Sequence, residues 1–556
     1  MVAHNNNNNI NNQNNGNENK SAGVTVISNN ITVNAATSAE HSSIEDEIES
    51  ISNKSRNSTF SANGERKNGL SYAEILINFL KGMIGPGCLS LPLAFRQAGL
   101  WTGLALVVVL GFLNWHCMHK LVKCSQRLSK EKGNSFLSYG SVTYETFSNS
   151  FSVLRPFNRT AKIVVNSSII ALQIGICSVF YVFCANHIKE FVDFEFPSFT
   201  YPKYIWMFSI FVPMVLITFV RSLRAIAVLS SIGNVFCIAA LTFIFQYLFR
   251  AKHQNLSDFP SITNFDGVMA ACGAVLYSYE GQAMVLPLEN RLKKPSQMVG
   301  FFGILSVGMT VVTAVYSASG VLGYITYGSQ VKGSITQNLP QNEIQFVIVR
   351  LLFTLVMFFG FAIQMYVVVE MLWPEFVKVV RNLCPKLGGN NENDHKNMVG
   401  IEFLFRAALV AVSMLIGLAV PELENIIPLV GATAGMLLAL IFPALLDLLV
   451  FLPIHLQRHR IRQTFWLLLD NWTLVAIGVF ALLEIAQKFF PAEEPAGGIP
   501  LNDYHNRHGL VNFAVAKDVF GPVLVLRQNT FIPGQTAQND DNGRTDGRTP
   551  AGIGAT

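Results

Sequence analysis

In the segment 268-VMAACGAVLYSYEGQAMVLPLEN-290, Glu280 places a carboxylate in the middle of a run apolar enough to be a membrane helix, with Gly281 beside it. Acids at membrane depth are costly and mark substrate or ion pathways. A second stretch, 84-IGPGCLSLP-92, sets two glycines and a proline inside another such run. Pro lacks an N–H and clashes with the preceding turn, and Gly is a poor helix former, so each stretch predicts an interrupted helix. An interruption over Ile84, Gly85 and Gly87 frees N–H groups at the positive end of a half-helix dipole, which suits a carboxylate. Glycine there lets the backbone approach a ligand with no Cβ in the way. An interruption over Ser278, Tyr279, Glu280 and Gly281 frees carbonyls, which suit an ammonium. Together they predict a zwitterion trap, that is, an amino-acid site. Glu280 is also the candidate for proton linkage, because a carboxyl in a pocket of low polarity can change charge with occupancy. Taken singly, a Gly-Pro pair often marks only a kink, and an intramembrane acid often pairs within a bundle. Two interruptions at matched positions favour the functional reading.

The elements that must hold these residues are membrane spans. The chain has 556 residues, of which 51% are hydrophobic and 13% charged, with a mean hydropathy of +0.37. Soluble domains carry about 25% charged residues. Eleven apolar segments reach spanning length, near 72–98, 100–124, 162–188, 203–221, 224–249, 266–289, 298–324, 344–371, 401–420, 424–452 and 465–488. The fold class expected is therefore an all-α membrane protein of about 11 transmembrane helices. The interrupted spans are the first and the sixth, corresponding positions in two five-helix halves. Such pairing is the best sequence pointer to the substrate site of an inverted-repeat transporter.

Residues 1–69, rich in Asn, Ser and Thr with an acidic run at 45-EDEIES-50, read as a disordered tail. The membrane domain follows over 70–490, then a flexible Gly-, Pro- and Asn-rich tail over 491–556. The opening residues lack the apolar core of a cleavable signal peptide. Alternate connections (120–162, 221–224, 291–297, 372–400, 453–463) hold 20 Lys and Arg, against 6 in those between them. This asymmetry predicts a cytoplasmic N-terminus and a non-cytoplasmic C-terminal tail. Asn255, in 255-NLS-257, is then the one sequon in an ordered non-cytoplasmic connection and a candidate glycosylation site. The net charge of +5 sits in the connections and gives no reason to expect nucleic acid. The eight cysteines include no CxxC pair, so no metal site is expected. With no nucleotide-binding loop and no paired nucleophile and base, no enzyme is expected.

Weaker candidates lie on the third and eighth spans, where Tyr181, Gln364 and Tyr366 are expected to flank the site. His187 reads as a solvated histidine near the end of its span. Arg350 and Glu370, toward opposite ends of the eighth, read as snorkelling to the interfaces. The stretch 455-HLQRHRIR-462 reads as a positive-inside anchor.

The runs 74-EILINFLKGMIGPGCLSLPLAFRQAG-99, 116-HCMHKLVKC-124 and 278-SYEGQAMVLPLENRLKKP-295 also carry a resemblance. They are similar to the proton-coupled amino-acid transporter branch of the amino acid/auxin permease family, over about residues 70–490. The resemblance implies a leucine-transporter-like 5+5 inverted repeat with broken helices 1 and 6. It also implies small neutral amino acids as substrates, carried by symport with a proton at the plasma or lysosomal membrane. No bound cofactor is implied beyond the co-transported ion. Two features depart from the family. Its first-span histidine is replaced by Asn78, which cannot titrate, and the connection 325–343 lacks the cysteine of a lumenal disulfide, leaving Cys184 a free thiol. Two further readings stay open at this point. One is a sodium-coupled or uncoupled carrier, for which Thr354 is the hydroxyl available on the eighth span. The other is an amino-acid sensor signalling to cytoplasmic partners through residues 1–69.

Overall fold

The computed structural model describes residues 66, 69–133, 136–196, 198, 201–340, 343–383 and 392–489. Both tails expected to be disordered or flexible fall almost wholly outside these. Among the described residues every long element is a helix, and an isolated β-bridge joins Leu70 to Leu292. The protein is an all-α membrane protein. Eight helices are long and apolar enough to cross a membrane, and a ninth crossing results if a pair bent by 46° counts as one span.

That bent pair is the first predicted span. It consists of α1 (Tyr72–Met83), a 3-10 turn over Pro86–Leu89 and α2 (Leu91–Ala98). Helix α1 starts on a capping box, in which the Ser71 side chain accepts from Glu74 N–H and Glu74 Oε2 accepts from Ser71 N–H at 2.8 Å. It stops at Ile84 because Pro86 has no N–H with which to continue the ladder. Helices α3 (Leu100–Glu131), α4 (Tyr139–Ser148) and α5 (Asn158–Glu195) follow.

The fourth predicted span is two short helices, α6 (Lys203–Ser209) and α7 (Phe211–Thr218). Pro213 lacks the N–H that would bond Ser209 O, and the helix breaks at Ile210. Next come α8 (Leu223–Arg250) and the two pieces of the sixth predicted span, α9 (Phe265–Ser278) and α10 (Gln282–Arg291). The chain continues with α11 (Ile304–Tyr327), α12 (Ile344–Leu383) and α13 (Glu392–Ala419). Helices α14 (Leu423–Val430) and α15 (Phe442–Gln457) are joined through π-turns, and α16 (Ile461–Phe489) closes the bundle. The first, fourth and sixth predicted spans, each made of pieces, are why eight single helices stand against eleven expected spans.

The interrupted helices lie at the centre. Helix α9 packs on α2 and α14, α11 packs on α2 and α3, and α5 packs on α12, which in turn packs on α8. In its most apolar stretch α5 is 78% buried and α16 only 22%, so α5 is an inner helix and α16 a peripheral one. Phe112, Val235 and Trp466 are exposed on the outside, as a lipid-facing surface requires.

A short strap ties the start of the first span to the end of the sixth. Leu70 N–H donates to Arg291 O at 2.8 Å and Lys293 N–H to Leu70 O at 2.9 Å. The buried Arg66 reaches Glu289 O, Leu292 O and Glu289 Oε1. Arg66 and Gly69, inside the segment expected to be a tail, thus belong to the described structure. This end of the bundle is called the strap face below, and the other the far face.

Candidate functional site

Both interruptions exist, and they touch. Gly85 is extended (φ −141°, ψ −156°), and a Cβ there would meet nothing within 4 Å. Gly87 differs, since its Cβ would lie 2.7 Å from Ser278 Cα, across the junction with α9. The absent side chain of Gly87 admits another span rather than a ligand. Ser278 Oγ donates to Gly87 O at 2.8 Å across the same junction.

Most of the freed carbonyls are taken by side chains. The Tyr316 hydroxyl on α11 lies 2.5 Å from Met83 O and 2.7 Å from Ser278 O, so one phenol spans both breaks. Ser319, one turn further, donates to Cys88 O at 2.7 Å. Asn114 on α3 donates to Tyr279 O at 2.9 Å and accepts from Gln282. These three residues were missed in the sequence. Tyr316 and Ser319 share a face of α11 at an i, i+3 spacing, and Asn114 is an amide in an apolar helix; those were the available signals. The donors are arranged differently. Among the described residues, the N–H groups of Gly85, Gly87, Gly281 and Gln282 have no acceptor.

A cavity of about 510 Å³ lies against the breaks, on the strap-face side. Ile84, Gly85, Glu280, Gly281 and Gln364 line it, so these five predicted residues are brought together. Gln173, whose Oε1 has no hydrogen-bond partner among the described residues, and Asn234 add amide groups. Glu280 is half-buried and, among the described residues, its carboxylate has no hydrogen bond or ion pair. The exposed Lys81 and Glu370 line the cavity too.

Other predicted residues lie outside the lining. Tyr279 is fully buried and donates to Val107 O and Thr313 Oγ1 at 3.1 and 2.9 Å. Tyr181 is fully buried and donates to Met207 O at 2.6 Å, holding α5 to α6. Ser278 and Gly87 form the junction described above. Asn78 is exposed on α1, one turn before Lys81. Asn255 is exposed at the start of a 3-10 turn over Leu256–Asp258.

The model of the family described as transmembrane amino acid transporter protein matches residues 68–486. The chain belongs to that family. It is 31% identical over 410 residues to a protein described as the probable amino acid transporter skat-1 of Caenorhabditis elegans, covering 73% of this chain and 87% of the relative. It is 28% identical over 415 residues to the proton-coupled amino acid transporter-like protein pathetic of Drosophila melanogaster, covering 74% and 82%. The chain is thus an amino-acid transporter by family, and the relatives named are transporters rather than enzymes.

In this amino-acid transporter the far side of the breaks is sealed. Arg96, at the end of α2, pairs with Glu424 at 2.9 Å and also donates to Val331 O in the connection between α11 and α12. Pro92 fills the space beside Gly323, whose Cβ would meet it at 2.4 Å. Away from the cavity, Lys120 is buried between α3, α15 and α16, with Asp447 Oδ2 at 2.9 Å, Asn471 Oδ1 at 2.6 Å and Asp470 Oδ2 at 2.8 Å. His116 reaches the same Asp470 oxygen at 3.0 Å. His187, expected to be solvated, is 3% exposed, because the connection between α11 and α12 folds over it.

Proposed function

We propose that the protein is a secondary active transporter of small neutral amino acids, driven by proton symport through alternating access. The observation that carries this reading is the pairing at the cavity. Among the described residues, Glu280 offers a carboxylate with no hydrogen-bond or ion-pair partner, beside N–H groups at both breaks that have no acceptor. An α-amino acid presents one group of each complementary kind, a carboxylate for the N–H groups and an ammonium for the carboxylate. A cavity of about 510 Å³ leaves room for a small side chain. Access from the strap face with the far face sealed is one of the two end states alternating access requires. The strap face is the cytoplasmic one under the proposed orientation, since the Lys- and Arg-rich connections end there.

Proton rather than sodium coupling is favoured by the name of the Drosophila relative and by Thr354. That hydroxyl donates to Arg350 O at 2.8 Å and lies away from the central cavity, toward the far face, so it offers no ligand to an ion beside the substrate. The test is uptake of labelled glycine, alanine and proline on expression, at about pH 5.5 and about pH 7.5, with and without sodium. Sodium-independent uptake stimulated by outside acid is expected. Binding without flux would make the protein a sensor, and flux requiring sodium would replace the coupling ion.

A further inference from the structure

One buried titratable pair is left unused by that reading. His187 and Glu190 lie one turn apart near the far-face end of α5 and line a separate small pocket of about 160 Å³. The His187 ring packs edge-on against Phe183 at 4.1 Å. Its Nε2 is 2.9 Å from Thr336 Oγ1, and its Nδ1 is 3.4 Å from Glu190 Oε2. Apart from each other, neither Nδ1 nor Oε2 has a hydrogen-bond partner among the described residues. Glu190 Oε1 accepts from Gln337 Nε2 at 3.0 Å. The pair therefore grips two successive residues of the connection between α11 and α12. The same connection supplies Val331 O to Arg96, and its Gly333 lies against Leu423 at the start of α14. Whatever loosens the grip on Thr336 and Gln337 loosens the far-face seal over both the first span and α14.

We propose that His187 and Glu190 form a proton-binding pair that clasps the 334–338 segment over the far end of the substrate site, so that a proton taken up there closes that face behind an entering substrate. The orientation of the clasp rests on the function proposed above, but its geometry does not. A neutral imidazole has one donor and one acceptor nitrogen. With Nδ1–H turned to Glu190, Nε2 accepts from the Thr336 hydroxyl. A second proton makes both nitrogens donors. The contact with Glu190 becomes an ion pair, Nε2–H becomes a charged donor to Thr336 Oγ1, and the Thr336 hydroxyl proton turns to Ser334 Oγ, 2.8 Å away.

By linkage, the state with the stronger clasp is the one that acid favours. The charged groups facing the pair come from every element around it. Arg350 of α12 is anchored on Thr336 O, Leu339 O and Pro340 O; Lys332 comes from the connection, and Lys203 from α6. Lys189 and Asp193, on α5 itself, pair with each other. Of the two groups in direct contact, histidine is the side chain whose charge ordinarily changes between pH 5 and 8.

The clasp can be read without transport. Val331 is fully buried in the connection and Ser329 is exposed in it. In the full chain, the rate at which an impermeant maleimide labels Val331→Cys, divided by its rate on Ser329→Cys, removes the thiol's own pH dependence. This ratio should rise several-fold, by at most about tenfold per pH unit, between about pH 5.5 and about pH 7.5. His187→Gln keeps a hydrogen bond to Thr336 without titrating and should make the ratio equal at both pH values. Glu190→Gln should flatten it as well and serves if the first variant is poorly folded. A ratio that does not change with pH, or one whose change survives both variants, overturns the clasp. Amino-acid uptake with a pH-insensitive ratio refutes the clasp alone, whereas a pH-sensitive ratio in a chain that carries no amino acid upholds it and refutes the transport reading.

Discussion

Adding a single methyl group at Gly87 should do what the same group at Gly85 does not. A Cβ on Gly87 would stand 2.7 Å from Ser278 Cα and 3.3 Å from Ser278 Cβ. Ordinary carbon contacts are about 3.5–4.0 Å, so the first and sixth spans would have to separate by about 1 Å. The obstacle is backbone and cannot rotate away. Overpacking of this kind costs about 1–3 kcal/mol, or about 5- to 150-fold in any equilibrium involving the close approach. Separation would also stretch the bond from Ser278 Oγ to Gly87 O and the span of the Tyr316 hydroxyl. Gly87→Ala should therefore lower the melting temperature of detergent-purified protein and cut alanine uptake by tenfold or more, within that estimate. Gly85→Ala, with nothing within 4 Å, should leave the melting temperature where it was. Wild-type stability and uptake in Gly87→Ala, or equal destabilisation by the two substitutions, would refute the reasoning.

Three further outcomes are expected. Glu280→Gln keeps size and hydrogen bonding but cannot titrate, so acid-driven accumulation should be lost while exchange of bound substrate persists; intact pH-driven uptake would remove Glu280 from coupling. Lys120→Met strands Asp447 and Asp470 and should cost about 3–5 kcal/mol, seen as lost surface expression, with partial recovery when Asp447→Leu is added to it; a double variant as impaired as the single one would show that the pair is not the cause. Asn255→Gln should remove a glycan detectable by glycosidase shift, and an unchanged mass with and without the enzyme would leave the site unused.

Much of the site was legible because proline, glycine and carboxylate are conspicuous in an apolar run. Ile84, Gly85, Glu280 and Gly281 line one cavity, as their composition suggested. The separate roles of Gly85 and Gly87 were not legible, because whether a missing Cβ faces space or a neighbouring helix depends on how the two spans meet. Tyr181, Tyr279 and Tyr316 look alike in sequence, each a tyrosine in an apolar helix. One reaches Met207 O, another Val107 O and Thr313, and only the third reaches both breaks. His187 misled for a related reason. Its place near a helix end predicts solvent, but burial came from a connection that starts some 140 residues downstream in sequence and folds back over it. The breaks in the first and sixth spans were legible, but the one in the fourth was not, because Pro213 sits in a run whose hydropathy continues across it.

The Tyr316 hydroxyl has one proton and two carbonyls within reach, Met83 O and Ser278 O. It can donate to only one at a time, so the other goes short of a donor in a place where a polar group without a partner costs about 1–3 kcal/mol. Both residues are nearly inaccessible, and water does not readily make up the deficit. The two breaks therefore compete for one proton. Movement that draws Met83 O away releases the phenol to Ser278 O, and movement at Ser278 returns it. Each interrupted span thereby registers the position of the other through a single rotating O–H, a toggle that works whether or not anything is bound between them.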